Sequence, residues 1–134
     1  MENYILDSDI LIYFLKGKHD VVRKLVTIPE ENLFTTRINY AELFFGAYNS
    51  SKPSENLKII SSFLENFKIL EFDKVSSEIF AKIKSQLKQK GLIIPDMDLM
   101  IASISIRNNF TLVSNNIKHF KRIRKLKLVN WVKN

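Results

Sequence analysis

Asp7, Glu42, Asp96 and Asp98 are carboxylates on three distant segments, each set among apolar or turn-forming neighbours. Asp7 follows the apolar run Tyr4-Ile5-Leu6 and opens Asp7-Ser8-Asp9-Ile10-Leu11-Ile12-Tyr13-Phe14-Leu15, so it stands at a strand exit among residues that belong in an interior. An unpaired carboxylate is expensive to bury there. A cation removes that cost, and hard divalent ions such as Mg2+ and Mn2+ take oxygen ligands from carboxylates, water and phosphate. The acids therefore point to a metal site. Local roles compete with that reading. Asp7 and Asp9 suit helix N-caps, Glu42 has Arg37 and Asn39 within reach as local partners, and Pro95-Asp96 suits a helix start.

Distant acids meet only if the elements between them return to one place. Short strands alternate with helices, with no repeats and no interdomain linker, which is an α/β pattern. Strands are expected at 3–6, 33–35, 69–72, 110–113 and 127–130. Asp9 is placed to cap a helix through Leu15, and Thr36 to start one carrying Ile38, Ala41, Leu43, Phe44 and Phe45. Pro53-Ser54 opens another, in which Leu57, Ile60, Phe63, Leu64 and Phe67 recur at helical spacing. Asp73 caps a long helix with the stripe Val75, Ile79, Ile83, Leu87, ended by Gly91. A further helix runs from Asp96 to Asn108 or Asn109. In open parallel sheets the carboxyl ends of the strands line one edge, where ligands bind. Asp7, Glu42, Asp98 and the pair Asn115-Asn116 all fall at that edge.

At 134 residues, 46% of them hydrophobic, the chain is expected to be one domain with a real core. No apolar run approaches the roughly 20 residues of a membrane span. The start, Met1-Glu2-Asn3, lacks the features of an export signal, and there is no cysteine, so the cytoplasm is the expected compartment. The net charge of +7 favours an acidic partner, most commonly nucleic acid. Six of the ten residues from Lys118 to Lys127 are cationic, and Lys82, Lys84, Lys88 and Lys90 decorate the helix upstream. Any one lysine reads as a solvated surface residue; the cluster reads as a phosphate contact. A noncatalytic nucleic-acid-binding module, with Phe120 stacking on bases, accounts for the cations and leaves the acids unexplained.

Four stretches taken together carry a family resemblance: Leu6-Asp7-Ser8-Asp9-Ile10-Leu11-Ile12, Glu42-Leu43-Phe44-Phe45-Gly46-Ala47, Asp98-Leu99-Met100-Ile101-Ala102-Ser103, and Leu112-Val113-Ser114-Asn115-Asn116 followed by His119-Phe120. In this order and spacing they resemble the motifs of PIN-domain nucleases, and within them the VapC toxins of bacterial toxin–antitoxin pairs. The resemblance implies a single PIN domain over 1–134, an α/β/α sandwich with a mainly parallel central sheet flanked by helices. It places Asp7, Glu42 and Asp98 in the acidic triad. The fourth position, often Asp in the family, is Asn116 here, one negative charge fewer at an amide whose oxygen still coordinates a cation. Asp9 stands where the family commonly has Asn. Ser8 and Ser114 match small hydroxyl positions beside the site, and Asp96 is an outer candidate.

The activity so implied is Mg2+- or Mn2+-dependent hydrolysis of RNA phosphodiester bonds, transfer RNA included, with Lys118, Lys121, Arg122 and Arg124 holding the RNA. The implied partners are a second copy of the chain and a cognate VapB antitoxin. The aromatic stripes Phe44-Phe45-Tyr48 and Phe63-Phe67 are expected to be core or subunit contacts; the resemblance implies an apolar groove for the antitoxin's tail, with some of these aromatics in its lining. Promoter DNA would be bound only through the antitoxin. His19 and His119 are not expected to act as bases, because metal-activated water needs none. A PIN nuclease of ribosomal or messenger RNA processing is the other reading within the same resemblance.

Overall fold

The computed structural model describes residues 2–133. Five parallel strands form one sheet in the order β3-β2-β1-β4-β5. Strand β1 (Tyr4–Leu6) lies at its centre, between β2 (Leu33–Thr36) and β4 (Thr111–Val113). The register sets Ile5 opposite Phe34 on one side and Leu112 on the other. Edge strands β3 (Lys68–Leu70) and β5 (Leu128–Val129) complete the sheet.

Both faces of a parallel sheet are covered, so its strands read as continuous apolar runs, and successive side chains leave on opposite faces. Leu6 packs with helices α1 (Ser8–Leu15), α2 (His19–Leu25), α3 (Arg37–Tyr48) and α4 (Pro53–Leu64), through Ile10, Leu11, Val21, Leu43 and Leu64. Its neighbour Ile5 packs on the other side with α5 (Lys74–Gln89), α6 (Asp96–Asn108) and α7 (Ile117–Phe120), through Leu87, Leu99, Ile101 and Phe120. The result is the α/β/α sandwich. No helix among the described residues is long and apolar enough to cross a membrane.

Several boundaries differ from the sequence reading. Helix α1 is capped by Asp7, whose Oδ1 accepts the Ser8 N–H at 2.9 Å, and Asp9 sits inside the first turn. The strand expected at 69–72 ends at Leu70, since Phe72 turns out of the sheet to meet Phe80 edge to face at 5.8 Å. Helix α4 stops at Leu64, yet Phe67 is still buried, edge-on to Phe63. Helices α2 and α7 and a 3-10 turn at Glu30–Asn32 were not anticipated; α2 and α7 are short, at seven and four residues, and carry too few periodic positions to stand out. The Asp73 cap is present, its Oδ1 accepting the Ser76 N–H at 2.8 Å.

Candidate active site

Every strand of the sheet exits on the same edge, and the acids gather there. The Asp7 N–H continues the β1–β4 ladder by donating to the Val113 carbonyl at 2.9 Å, which ties the position of Asp7 to the sheet itself. Its side chain is 7% exposed. Oδ1 accepts from the Ser8 N–H and from Asn39 Nδ2 at 3.0 Å, and Oδ2 accepts from Ser114 Oγ at 2.7 Å. These donors make the buried charge tolerable without neutralising it. Burial still pushes the Asp7 carboxyl above its ordinary range, and the nearby Asp98 pushes the same way.

Asp9, one helical step on, accepts from the backbone of Ile10 at 2.7 Å and of Asn115 at 3.0 Å. Burial, with the added repulsion of Asp7 and Asp98, pushes its pKa up to about 6. From α3, Glu42 Oε1 accepts from Ser8 Oγ at 2.8 Å; burial, then Asp7 and Asp98, raise its pKa too. From the first turn of α6, Asp98 Oδ2 meets Asn116 Nδ2 at 3.3 Å and His119 Nδ1 at 3.1 Å. The Asn116 N–H in turn donates to Ser114 Oγ at 2.9 Å. Asp7, Ser8, Asp9, Glu42, Asp98, Ser114 and Asn116 thus form one connected patch drawn from β1–α1, α3, α6 and the loop after β4.

The PIN domain family profile matches residues 4–126. Ribonuclease VapC2 of Rickettsia felis is 37% identical over 132 residues, covering 97% of this chain and 98% of that protein. The chain belongs to the VapC ribonucleases of the PIN-domain family. A crystal structure of VapBC2 from Rickettsia felis bound to a DNA fragment from its promoter contains a chain that superposes with a TM-score of 0.89 at 36% identity, covering 96% of this chain and 98% of that one. The tRNA(fMet)-specific endonuclease VapC of Salmonella typhimurium is 26% identical over 131 residues, covering 98% of this chain and 99% of the relative.

Within this VapC-type site two residues were missed by sequence reasoning. Asn39 is fully buried, with its Oδ1 taking the Thr36 hydroxyl at 2.7 Å and its Nδ2 reaching Asp7 Oδ1, Ser8 Oγ and, at 3.5 Å, Glu42 Oε1. The signal was its place three residues before Glu42, one turn away on the same face of α3. His119, set aside in the sequence reading, touches both Asp98 and Asn116. No periodicity signalled it: the four-residue helix α7, which turns it back into the cleft, is too short to be read from the sequence.

Other expected roles are not supported by contacts. Asp96 stands apart from the patch, paired with Lys84 at 2.9 Å on the surface with 58% of its side chain exposed. Arg37 is bound to Glu71 at 2.6 Å, so it is no partner for Glu42. Phe120 is wholly buried and offers no face to a base, whereas Lys118, Lys121 and Arg124 are exposed as expected. Phe63 and Phe67 do belong to the core, the first role expected of them, while Phe45 and Tyr48 are 68% and 66% exposed.

The donor set fits a hard divalent cation. Burial first, then the charge of Asp98 and, for Asp9 and Glu42, that of Asp7, drive Asp7, Asp9 and Glu42 toward protonation, a repulsion that a cation cancels. Glu42 and Asp98 each use one oxygen for hydrogen bonds among the described residues, leaving Glu42 Oε2 and Asp98 Oδ1 for a ligand. As the side chains stand, no three of the described Asp, Glu or His residues are arranged to hold an ion.

Asn39 holds two of these acids, Asp7 and Glu42, where they stand. Asn39→Ala is expected to lower RNA cleavage about 10- to 100-fold by freeing the ligands it orients, and to cost about 1–3 kcal/mol by leaving Thr36 and Asp7 short of a partner. Asn39→Ser should recover part of both. Cleavage rates and denaturant melts on the two variants test this; wild-type rates in Asn39→Ala would exclude an orienting role.

Proposed function

We propose that this chain is a divalent-cation-dependent endoribonuclease toxin, a single PIN domain over 1–134, using Mg2+ or Mn2+. The observation that carries the reading is the convergence of Asp7, Asp9, Glu42 and Asp98, three of them with raised pKa values, at the exit edge of a parallel sheet. Asp7, Glu42 and Asp98 would hold the ion, with Asn116 contributing its amide oxygen. A bound ion would lower the pKa of water, polarise the phosphoryl oxygen and neutralise charge on the leaving oxygen.

The chain's own groups do the positioning. Ser8 and Asn39 hold Glu42 and Asp7, Ser114 holds the second oxygen of Asp7, and His119 with Asn116 holds Asp98. Asp9, fixed by two backbone N–H groups, lies in the same cleft and is suited to orienting water. Lys118, Lys121, Arg122 and Arg124 follow the site in sequence and supply phosphate contacts.

The relatives support the biological setting. A VapBC2 complex from Rickettsia felis bound to promoter DNA supports a cognate VapB antitoxin, with DNA reached through the complex. The name of the Salmonella typhimurium relative supports transfer RNA as the substrate class. A homodimer acting in the cytoplasm completes the proposal.

The test is incubation of total cellular RNA with the purified chain and Mg2+ or Mn2+, alongside EDTA. Discrete fragments that vanish with EDTA are expected. Undiminished cleavage in EDTA would remove the cation from the mechanism, and no cleavage under any divalent ion would remove the activity.

A further inference from the structure

A groove of about 560 Å³ runs between α5 and the segment after α7. Lys82 and Lys90 stand on its α5 bank and Arg122, Arg124 and Lys125 on the other, while its floor is aliphatic, including Ile83, Leu87 and Ile123. No acidic residue lines it. From Ile79 to Lys90 the helix extends roughly 16 Å, so the cations form two rails rather than a single point.

The groove's cations differ from Lys84, Arg107 and Arg37, each of which has an acid beside it. Lys84, on the same helix but off the groove, is paired with Asp96; Arg107 is paired with Asp73 and Arg37 with Glu71. Among the described residues Lys82, Lys90, Arg124 and Lys125 make no ion pair. Arg122 is braced by a hydrogen bond from Nη1 to the Ile93 carbonyl at 2.7 Å, which spends one of its five donors. Facing banks of unpaired cations repel one another, and a polyanion between them relieves that repulsion.

We propose that this groove is a track for the RNA strand flanking the scissile phosphate, gripped on both banks by Lys82 and Lys90 against Arg122, Arg124 and Lys125. The proposal rests on RNA being the substrate. Closeness in the chain to the catalytic cleft favours RNA over an acidic peptide: Arg122 follows by three residues His119, which touches Asp98. The strand is single, because an unpaired strand turns its bases toward an aliphatic floor while its phosphates meet the rims, a contact indifferent to base identity. The groove therefore supplies affinity, and discrimination among RNAs is left to the cleft.

The experiment compares K82E/K90E with K16E/K58E, which changes net charge equally at exposed lysines away from the groove. Both are made in an Asp98→Ala background, and binding to poly(uridylic acid) is followed in EDTA across a salt titration. K82E/K90E should bind roughly tenfold or more weakly at low salt, with a salt slope reduced by about 1.4 for two lost phosphate contacts. K16E/K58E should stay close to its parent. Equal behaviour of the two variants would overturn the track, as would binding of poly(glutamic acid) that depends on Lys82 and Lys90 while poly(uridylic acid) binding does not. Because binding is read without catalysis, an active-site failure is separable: a wild-type chain that cleaves no RNA removes the nuclease reading and leaves this result standing.

Discussion

Asp98→Ala is expected to reduce RNA cleavage at least ~100-fold, the scale of losing one preorganised electrostatic contact to a transition state, without unfolding the chain. Asp98 is the one acid whose charge bears on Asp7, Asp9 and Glu42 together. Removing it takes away a proposed cation ligand and also relieves repulsion, so the metal-free variant should melt no lower than the wild type. Asp96→Ala, two residues away, is the matched control. Its ion pair with Lys84 is solvent-exposed on both sides, so its loss should move stability by less than about 0.5 kcal/mol and leave cleavage near wild type. Initial rates on one RNA substrate with Mg2+, together with thermal melts, decide the matter. Asp98→Ala retaining activity, or Asp96→Ala losing as much, would sink the assignment.

That control also marks where the sequence stopped being legible. The apolar runs at Ile5-Leu6, Leu33-Phe34 and Leu112-Val113 announced buried parallel strands, because nothing else explains such short runs between helices. With the strands placed, the exit-edge rule brought Asp7, Glu42 and Asp98 together before any contact was known. Spacing alone did not separate Asp96 from Asp98; the family motif did, putting Asp98 in the triad and Asp96 outside it. On a helix two residues apart point about 200° away from each other, and only the position of α5 shows that Asp96 faces Lys84. Asn39 was hidden for the opposite reason. An amide inside an apolar helix looks like a local cap, and its three carboxylate and hydroxyl partners come from a chain segment some thirty residues away as well as from its own turn. His119 was missed because a four-residue helix carries too little periodicity to orient a side chain in advance.

The metal-free protein should lose stability as pH rises from about 4 to about 7. Asp9 has a folded-state pKa raised from 3.8 to about 6, so the folded chain holds this proton more tightly than the unfolded one. The associated stability is fully present below the unfolded value and is lost as pH rises through about 6; Asp7 and Glu42 shift in the same direction. Two pKa units correspond to about 3 kcal/mol at most, and partial exposure of Asp9 brings its share to roughly 1–2 kcal/mol. Mg2+ competes with these protons, so it should raise the melting temperature more at pH 8 than at pH 5. Calorimetric melts at both pH values, with EDTA or Mg2+, on wild type and Asp9→Asn give the comparison. A wild-type pH slope in EDTA no steeper than that of Asp9→Asn would show that the charge of Asp9 is not strained in the fold.

The strand order has a consequence for when the protein becomes dangerous. Central β1 is the first element made, and its partner β4, along with Ser114 for Asp7 and Asn116 for Asp98, comes from the last quarter of the chain. Pairings this distant form late in folding, and domains fold as units once their segments have emerged. Until that last quarter has folded against β1, Asp7 with Asp9 on one segment and Glu42 on another lack the partners that close the cleft. The cleft is complete only once Ser114 and Asn116 have docked, so a partial chain that lacks them carries the acids without the finished site.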